Sequence, residues 1–258
     1  MFKKKTVKEV LEQLEKEENE NKVAKRLVEV EFDSGKPLSY FSDIEEIAVG
    51  DLVTVEGKLE DEIGVVKTVK KSFKKPKFEM KWIEKILDRD VTGNYFKIGD
   101  DVVSTDSALT AEKFITMFAE LKYEENQAIG EDEIELNVET FEEDELFDNE
   151  LVKLRGKELF KADRVPFISL QDGVGKAIVR GSDWYEIDFR CKRGRITYIA
   201  CDCPYFGECK HEVAFLYKLR DFWKKFVEKS NADNFVLCRK ECFNAILSKG
   251  KGKVSIEL

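Results

Sequence analysis

The chain has a single histidine, His211, among 258 residues. An imidazole that binds a metal cannot also act as general base, so the usual metal-plus-histidine hydrolytic schemes are excluded. No apolar run of about 18 or more residues occurs, so nothing reads as a membrane-spanning helix. The start, Met1-Phe2-Lys3-Lys4-Lys5, leads into a charged helix and not into an apolar signal segment. A cytoplasmic protein is expected, where thiols stay reduced and clustered cysteines favour metal over disulfides. There is no phosphate-binding loop of the G-x-x-x-x-G-K-[ST] kind. Carboxylates abound, yet no nucleophile–base constellation stands out, and the expectation is a protein that is not an enzyme.

The net charge of −9 argues against a generic nucleic-acid binder. The charge is uneven, however. Residues 1–150 carry 22 basic and 39 acidic side chains, giving −17, and residues 151–258 carry 22 and 14, giving +8. Such asymmetry suits either a polyanion-facing half or two halves that attract each other.

The most informative stretch is Cys201-Asp202-Cys203-Pro204-Tyr205-Phe206-Gly207-Glu208-Cys209-Lys210-His211. It reads C-x-C, five residues, then C-x-H. Three thiolates and an imidazole are a standard tetrahedral zinc set. Pro204 and Gly207 let the gap turn and bring the second pair back over the first. The alternatives for Cys201 and Cys203 are buried small side chains or a redox pair, but neither needs Cys209 and the sole histidine beside them. After His211, the residues Val213, Leu216, Leu219, Trp223 and Phe226 recur at helical spacing, so the third and fourth ligands are expected at a helix's first turn. Upstream, Tyr185, Ile187 and Phe189 alternate with charged residues, Lys192-Arg193-Gly194 turns, and Arg195–Ala200 returns. That hairpin delivers Cys201 and Cys203 to one side of its far end.

This pattern resembles the SWIM-type zinc finger, C-x-C, a variable gap, then C-x-H, in a ββα arrangement. Arg155-Gly156-Lys157-Glu158-Leu159-Phe160, Ala177 to Gly181-Ser182, Trp184-Tyr185-Glu186-Ile187 and Cys209-Lys210-His211-Glu212-Val213-Ala214 are similar to bacterial members, covering residues 146–220. The resemblance implies one structural zinc on Cys201, Cys203, Cys209 and His211. It also implies contact with DNA, or with a protein such as a helicase. The candidate nucleic-acid residues are Lys192, Arg193, Arg195, Lys210, Lys218, Arg220, Lys224 and Lys225, with Tyr205 and Phe206 placed to stack on bases. The competing class is a protein-interaction adaptor in which the zinc is purely structural.

The expected fold is α+β. Thr6-Val7-Lys8-Glu9 is a capping box for a helix in 1–24. Residues 25–90 hold five short alternating strands, expected to form a small β-barrel. The run through Gly50-Asp51-Leu52-Val53-Thr54-Val55 to Gly64-Val65-Val66 is similar to the small barrel of primosomal helicases and to KOW-like barrels. Lys67, Lys70, Lys71, Lys74, Lys75 and Lys77 with Phe73 and Phe78 suit either phosphate contact with stacking or a solvated hairpin. Residues 91–145 read as a connector with a helix capped by Thr110. The acidic stretch 124–150 reads as an exposed linker. Residues 146–228 form the finger domain with its flanking helices, with Gly173 and Gly175 in a turn. A C-terminal extension, 229–258, follows, with Cys238 and Cys242 spaced to share a helix face. Cys191 is not counted as a ligand.

Overall fold

Val28–Phe32 alternates apolar and acidic residues, and its period of two matches a strand with one buried face. The computed structural model of the protein has that strand, β1 (Arg26–Glu31), with Val28 and Val30 buried. It describes residues 26–33, 35–71, 80–119, 133–142, 146–205, 207–227, 230, 232 and 234–257. The capping box at Thr6, the helix in 1–24, Lys74, Lys75, Lys77, Phe73, Phe78 and Phe206 lie outside the described residues. The chain divides after Leu87 into two units.

The first unit holds β1, β2 (Leu38–Ser42), β3 (Leu52–Val55), β4 (Gly64–Lys71) and β5 (Ile83–Ile86) in one antiparallel sheet, ordered β2-β1-β4-β3-β5. Val28, Val30, Phe32, Tyr40, Val53, Val55, Val66 and Ile83 form its core. The expected closed barrel is not what forms. Among the described residues the outer edges meet at a single bridge, Phe41–Trp82, with the Phe41 amide donating to the Lys81 carbonyl at 2.9 Å. The Ser42 hydroxyl accepts from the Ile44 amide and ends β2 there, while Ile83 turns to pair with Val55, so no ladder develops across the seam. Two of the lysines of β4 are paired: Lys67 with Glu31, and Lys70, which lies 3.5 Å from Glu29.

The second unit is built on a nine-stranded sheet ordered β14-β6-β7-β13-β9-β10-β11-β12-β8. Its strands are β6 (Gly93–Ile98), β7 (Asp101–Ser104), β8 (Glu133–Asn137), β9 (Phe167–Gln171), β10 (Val174–Arg180), β11 (Trp184–Lys192), β12 (Arg195–Cys201), β13 (Phe235–Arg239) and β14 (Val254–Glu257). All neighbours are antiparallel except β14 and β6. Residues 91–145, 146–228 and 229–258 thus all contribute strands to the same sheet.

Four α-helices occur among the described residues: α1 (Ala111–Phe114), α2 (Glu150–Lys161), α3 (Lys210–Phe222) and α4 (Lys240–Lys249). Thr110 caps α1 as expected, accepting from the Lys113 amide. Side chains on successive strand residues point to opposite faces. Accordingly, Ile168, Leu170, Ala177, Val179, Ile187 and Phe189 pack with Val213, Phe215, Leu216 and Leu219 of α3. Phe167, Ile178, Val236 and Cys238 face the other way, against Phe114 and α4's Phe243 and Ile246. Each fully buried large apolar side chain contributes about 1.5–3 kcal/mol, so α3 is held by a far larger apolar surface than its first turn alone.

Three local expectations are corrected. Part of the acidic stretch is β8, which pairs with β12, because Ile134, Leu136 and Val138 alternate with Glu135, Asn137 and Glu139 and bury Leu136 and Val138. Gly175 lies inside β10, covered by the Phe189 ring, and the turn is Asp172-Gly173. Cys238 sits on β13 and Cys242 on α4, so the pair shares a core and not a helix face.

Candidate metal centre

Cys201 is the last residue of β12, paired across to Ile187. The next residue extends the ladder: the Asp202 amide donates to the Glu186 carbonyl at 3.0 Å, and the Asp202 carboxylate accepts from the Glu186 amide at 2.9 Å. Burial raises the Asp202 pKa. The chain then turns through Pro204 and Gly207. Cys209 is the N-cap of α3, its sulfur accepting from the His211 amide at 3.3 Å. A hairpin end and a helix start therefore supply two ligands each, as the spacing predicts.

The four donor atoms lie within 4.8 Å of one another. Cys203 Sγ is 3.3 Å from Cys209 Sγ. The His211 Nδ1 is 3.3 Å from Cys209 Sγ and 3.7 Å from Cys201 Sγ. A tetrahedral zinc with sulfurs at about 2.3 Å sets neighbouring sulfurs about 3.8 Å apart, so the cluster fits such an ion with small adjustments. Hydrogen bonding from Cys201 holds the Cys209 thiol down at about 4, and the same bond raises Cys201. The helix N-terminus also favours a thiolate at Cys209.

Residues outside the four-ligand pattern seat it. Tyr185 stacks on the His211 ring, centroids 4.1 Å apart. Gly181 lies against the far nitrogen: a Cβ there would come within 2.5 Å of His211 Nε2, which is buried and has no hydrogen-bond partner among the described residues. Gly156 of α2 lets α3 approach, since a Cβ would meet Val213 at 2.4 Å. Glu208, between the ligands, accepts from the Asp148 and Asn149 amides at 2.6 and 2.8 Å, which hangs the loop on the head of α2. Gly156, Gly181 and Tyr185 belong to the stretches that carry the SWIM resemblance, yet spacing alone assigns them no role. Glu208 has no sequence signal. Cys191 is buried in the main core, where burial pushes its thiol up to about 11.

The expected nucleic-acid residues do not form one surface. Lys192 and Arg193 are exposed at the β11–β12 turn, and Lys224 and Lys225 are exposed just beyond α3. Lys225 pairs with Asp221 at 2.7 Å, and Arg195 with Glu135 at 3.2 Å. Lys210 is half-buried and Tyr205 is 73% exposed, both at the metal end. Arg220 lies over the rings of Phe141 and Tyr217. Lys218 is a correction. It lies on the inner side of α3, 6% exposed, with Nζ 2.6 Å from Asp101. Five residues before Trp223, it faces the sheet and cannot reach a phosphate.

Among the described residues, no helix is long and apolar enough to cross a membrane. Comparison with known protein families, with curated proteins and with solved structures finds no match to this chain.

Proposed function

We propose that this chain is a cytoplasmic, non-enzymatic SWIM-type finger protein with one structural zinc, which contacts nucleic acid as an accessory to a DNA-processing system. The observation that carries the reading is the convergence of Cys201, Cys203, Cys209 and His211 from a hairpin end and a helix start. Four protein donors fill a tetrahedral zinc, so the ion would tie the hairpin to α3 and leave no position for a reacting water. Its binding free energy would be local folding free energy. The nucleic-acid part is supported by the positive charge of residues 151–258 and by cations left exposed around the finger.

The test is a salt titration of DNA binding by the zinc-loaded full chain. Phosphate contacts make log affinity fall linearly with log salt. Absence of binding at about 50 mM salt, where phosphate contacts are only weakly screened, removes nucleic acid as the partner. A second reading, the protein adaptor, is favoured by one observation: Leu151 and Leu154 on α2 are 60% and 53% exposed. The adaptor reading expects no DNA binding at any salt.

A further inference from the structure

We propose that the tip of the β11–β12 hairpin, together with the turn that follows α3, is a contact for the sugar–phosphate backbone of duplex nucleic acid. The metal end of the finger is not this contact. The inference rests on the nucleic-acid reading above and says where on the finger that contact lies.

Lys192 pairs with Arg195, so the loop between them has two residues, Arg193 and Gly194, with φ of 51° and 77°. This is the backbone of a type I′ turn, whose first position suits Asn, Asp or Gly. A bulky cation held in the left-handed region carries a conformational cost, and such strain gathers at functional positions. Gly194 rests on the Trp223 indole: a Cβ there would stand 3.4 Å from Cζ2. Trp223 opens a π-helical turn, Trp223–Val227, which buries Trp223 and Val227 and leaves Lys224 and Lys225 exposed. Turns of this kind recur at functional sites. Hairpin and turn thus bring Lys192, Arg193, Lys224 and Lys225 to one end of the unit.

Among the described residues Lys192, Arg193 and Lys224 have no carboxylate partner. The Lys225–Asp221 pair is exposed and is readily exchanged for a phosphate. The 13 residues of α3 rise about 1.5 Å each, so this end lies roughly 20 Å from Lys210 and the metal ligands. Among the described residues the tip also has no stacking platform: Trp223 is 6% exposed, and Phe226 is stacked on Phe222 at 5.4 Å. Single strands are held by base–aromatic stacking, whereas a duplex presents phosphates alone to a cationic tip.

The experiment uses the zinc-loaded full chain and fluorescence anisotropy with a DNA duplex of about 20 base pairs and a single strand of equal length, at about 50 to 200 mM salt. The duplex is expected to bind several-fold more tightly. Replacing Lys192, Arg193, Lys224 and Lys225 with Ala lowers duplex affinity at least about 10-fold and flattens the salt slope by up to about 3.6, at about 0.9 per phosphate. The pair Tyr205→Ala/Lys210→Ala changes it little. Arg193→Gly gives the sharper test, because it relieves the left-handed backbone. Its Tm rises while duplex affinity falls about 2–5-fold, whereas a purely structural turn would gain stability with affinity unchanged. Zinc content and circular dichroism report that each variant is folded. No binding by the unaltered chain overturns the nucleic-acid reading itself. Binding that survives the four substitutions, or is lost in the Tyr205/Lys210 variant, overturns the tip and leaves that reading standing. Tighter binding of the single strand overturns the duplex assignment.

Discussion

His211 lies between Tyr185 and Gly181: the tyrosine ring stacks on the imidazole at 4.1 Å and 23°, and the glycine fills the space beside Nε2. Nδ1 is thereby aimed at the sulfurs of Cys201 and Cys209. Substitution Gly181→Ala places a methyl group 2.5 Å from Nε2 and forces the ring to shift. Zinc affinity is expected to fall about 10–100-fold, the range seen when residues that orient a metal ligand are altered. Competition against a chromophoric chelator measures it. An unchanged affinity would show that the ring has room to move.

Metal stoichiometry separates ligand from core cysteine. The full chain should hold one zinc. Cys203→Ala should abolish that equivalent, whereas Cys238→Ala should keep it, because Cys238 lies on β13 in the core facing α4. Elemental analysis decides, and equal loss from both variants would mean that the ligands are wrongly assigned.

Removing the metal should loosen the site locally. α3 carries Phe215, Leu216, Leu219 and Phe222 into the main core, and this packing does not depend on the ion. Hydrogen exchange after chelation should therefore rise over 201–213 and change less beyond Leu216. The sheet of the first unit should keep its protection. A uniform loss along the chain would mean that the two units unfold as one.

The Lys218–Asp101 pair is a stability element. Lys218→Ala leaves a half-buried carboxylate whose buried Oδ1 already has no hydrogen-bond partner among the described residues. Breaking a pair of this burial from one side costs up to about 3 kcal/mol. Urea unfolding should show a loss of that order, while DNA affinity of the folded variant stays unchanged. A phosphate-contact role would give the reverse.

What could be read directly was local in the chain. The C-x-C and C-x-H spacings, the hairpin through Lys192-Arg193-Gly194 and the apolar stripe from Val213 onward each span a few residues. Period and turn chemistry therefore place the four candidate ligands on a strand end and a helix start without reference to packing. Gly156 and Gly181 were visible as glycines in the stretches that carry the resemblance. Their reason, a helix and an imidazole pressed against them, is a matter of contact.

Three results needed the tertiary structure. β13 pairs with β7 and β9, and β14 with β6, across long sequence separations, so no window of sequence joins 93–104 to 235–257. In β8 the alternation of Ile134, Leu136 and Val138 is present but diluted by acidic neighbours, and only pairing with β12 makes it a strand. Lys218 and Lys224 are alike as residues on one amphipathic segment. Burial alone divides them, because the helix turns one toward Asp101 and the sheet while the turn at Trp223 leaves the other in water. Amino-acid sequence determined which atoms can bind a metal, since donor chemistry and short spacing are local. The fold decided which cations remain free for a partner, since a charge's pairing depends on what lies across from it in space.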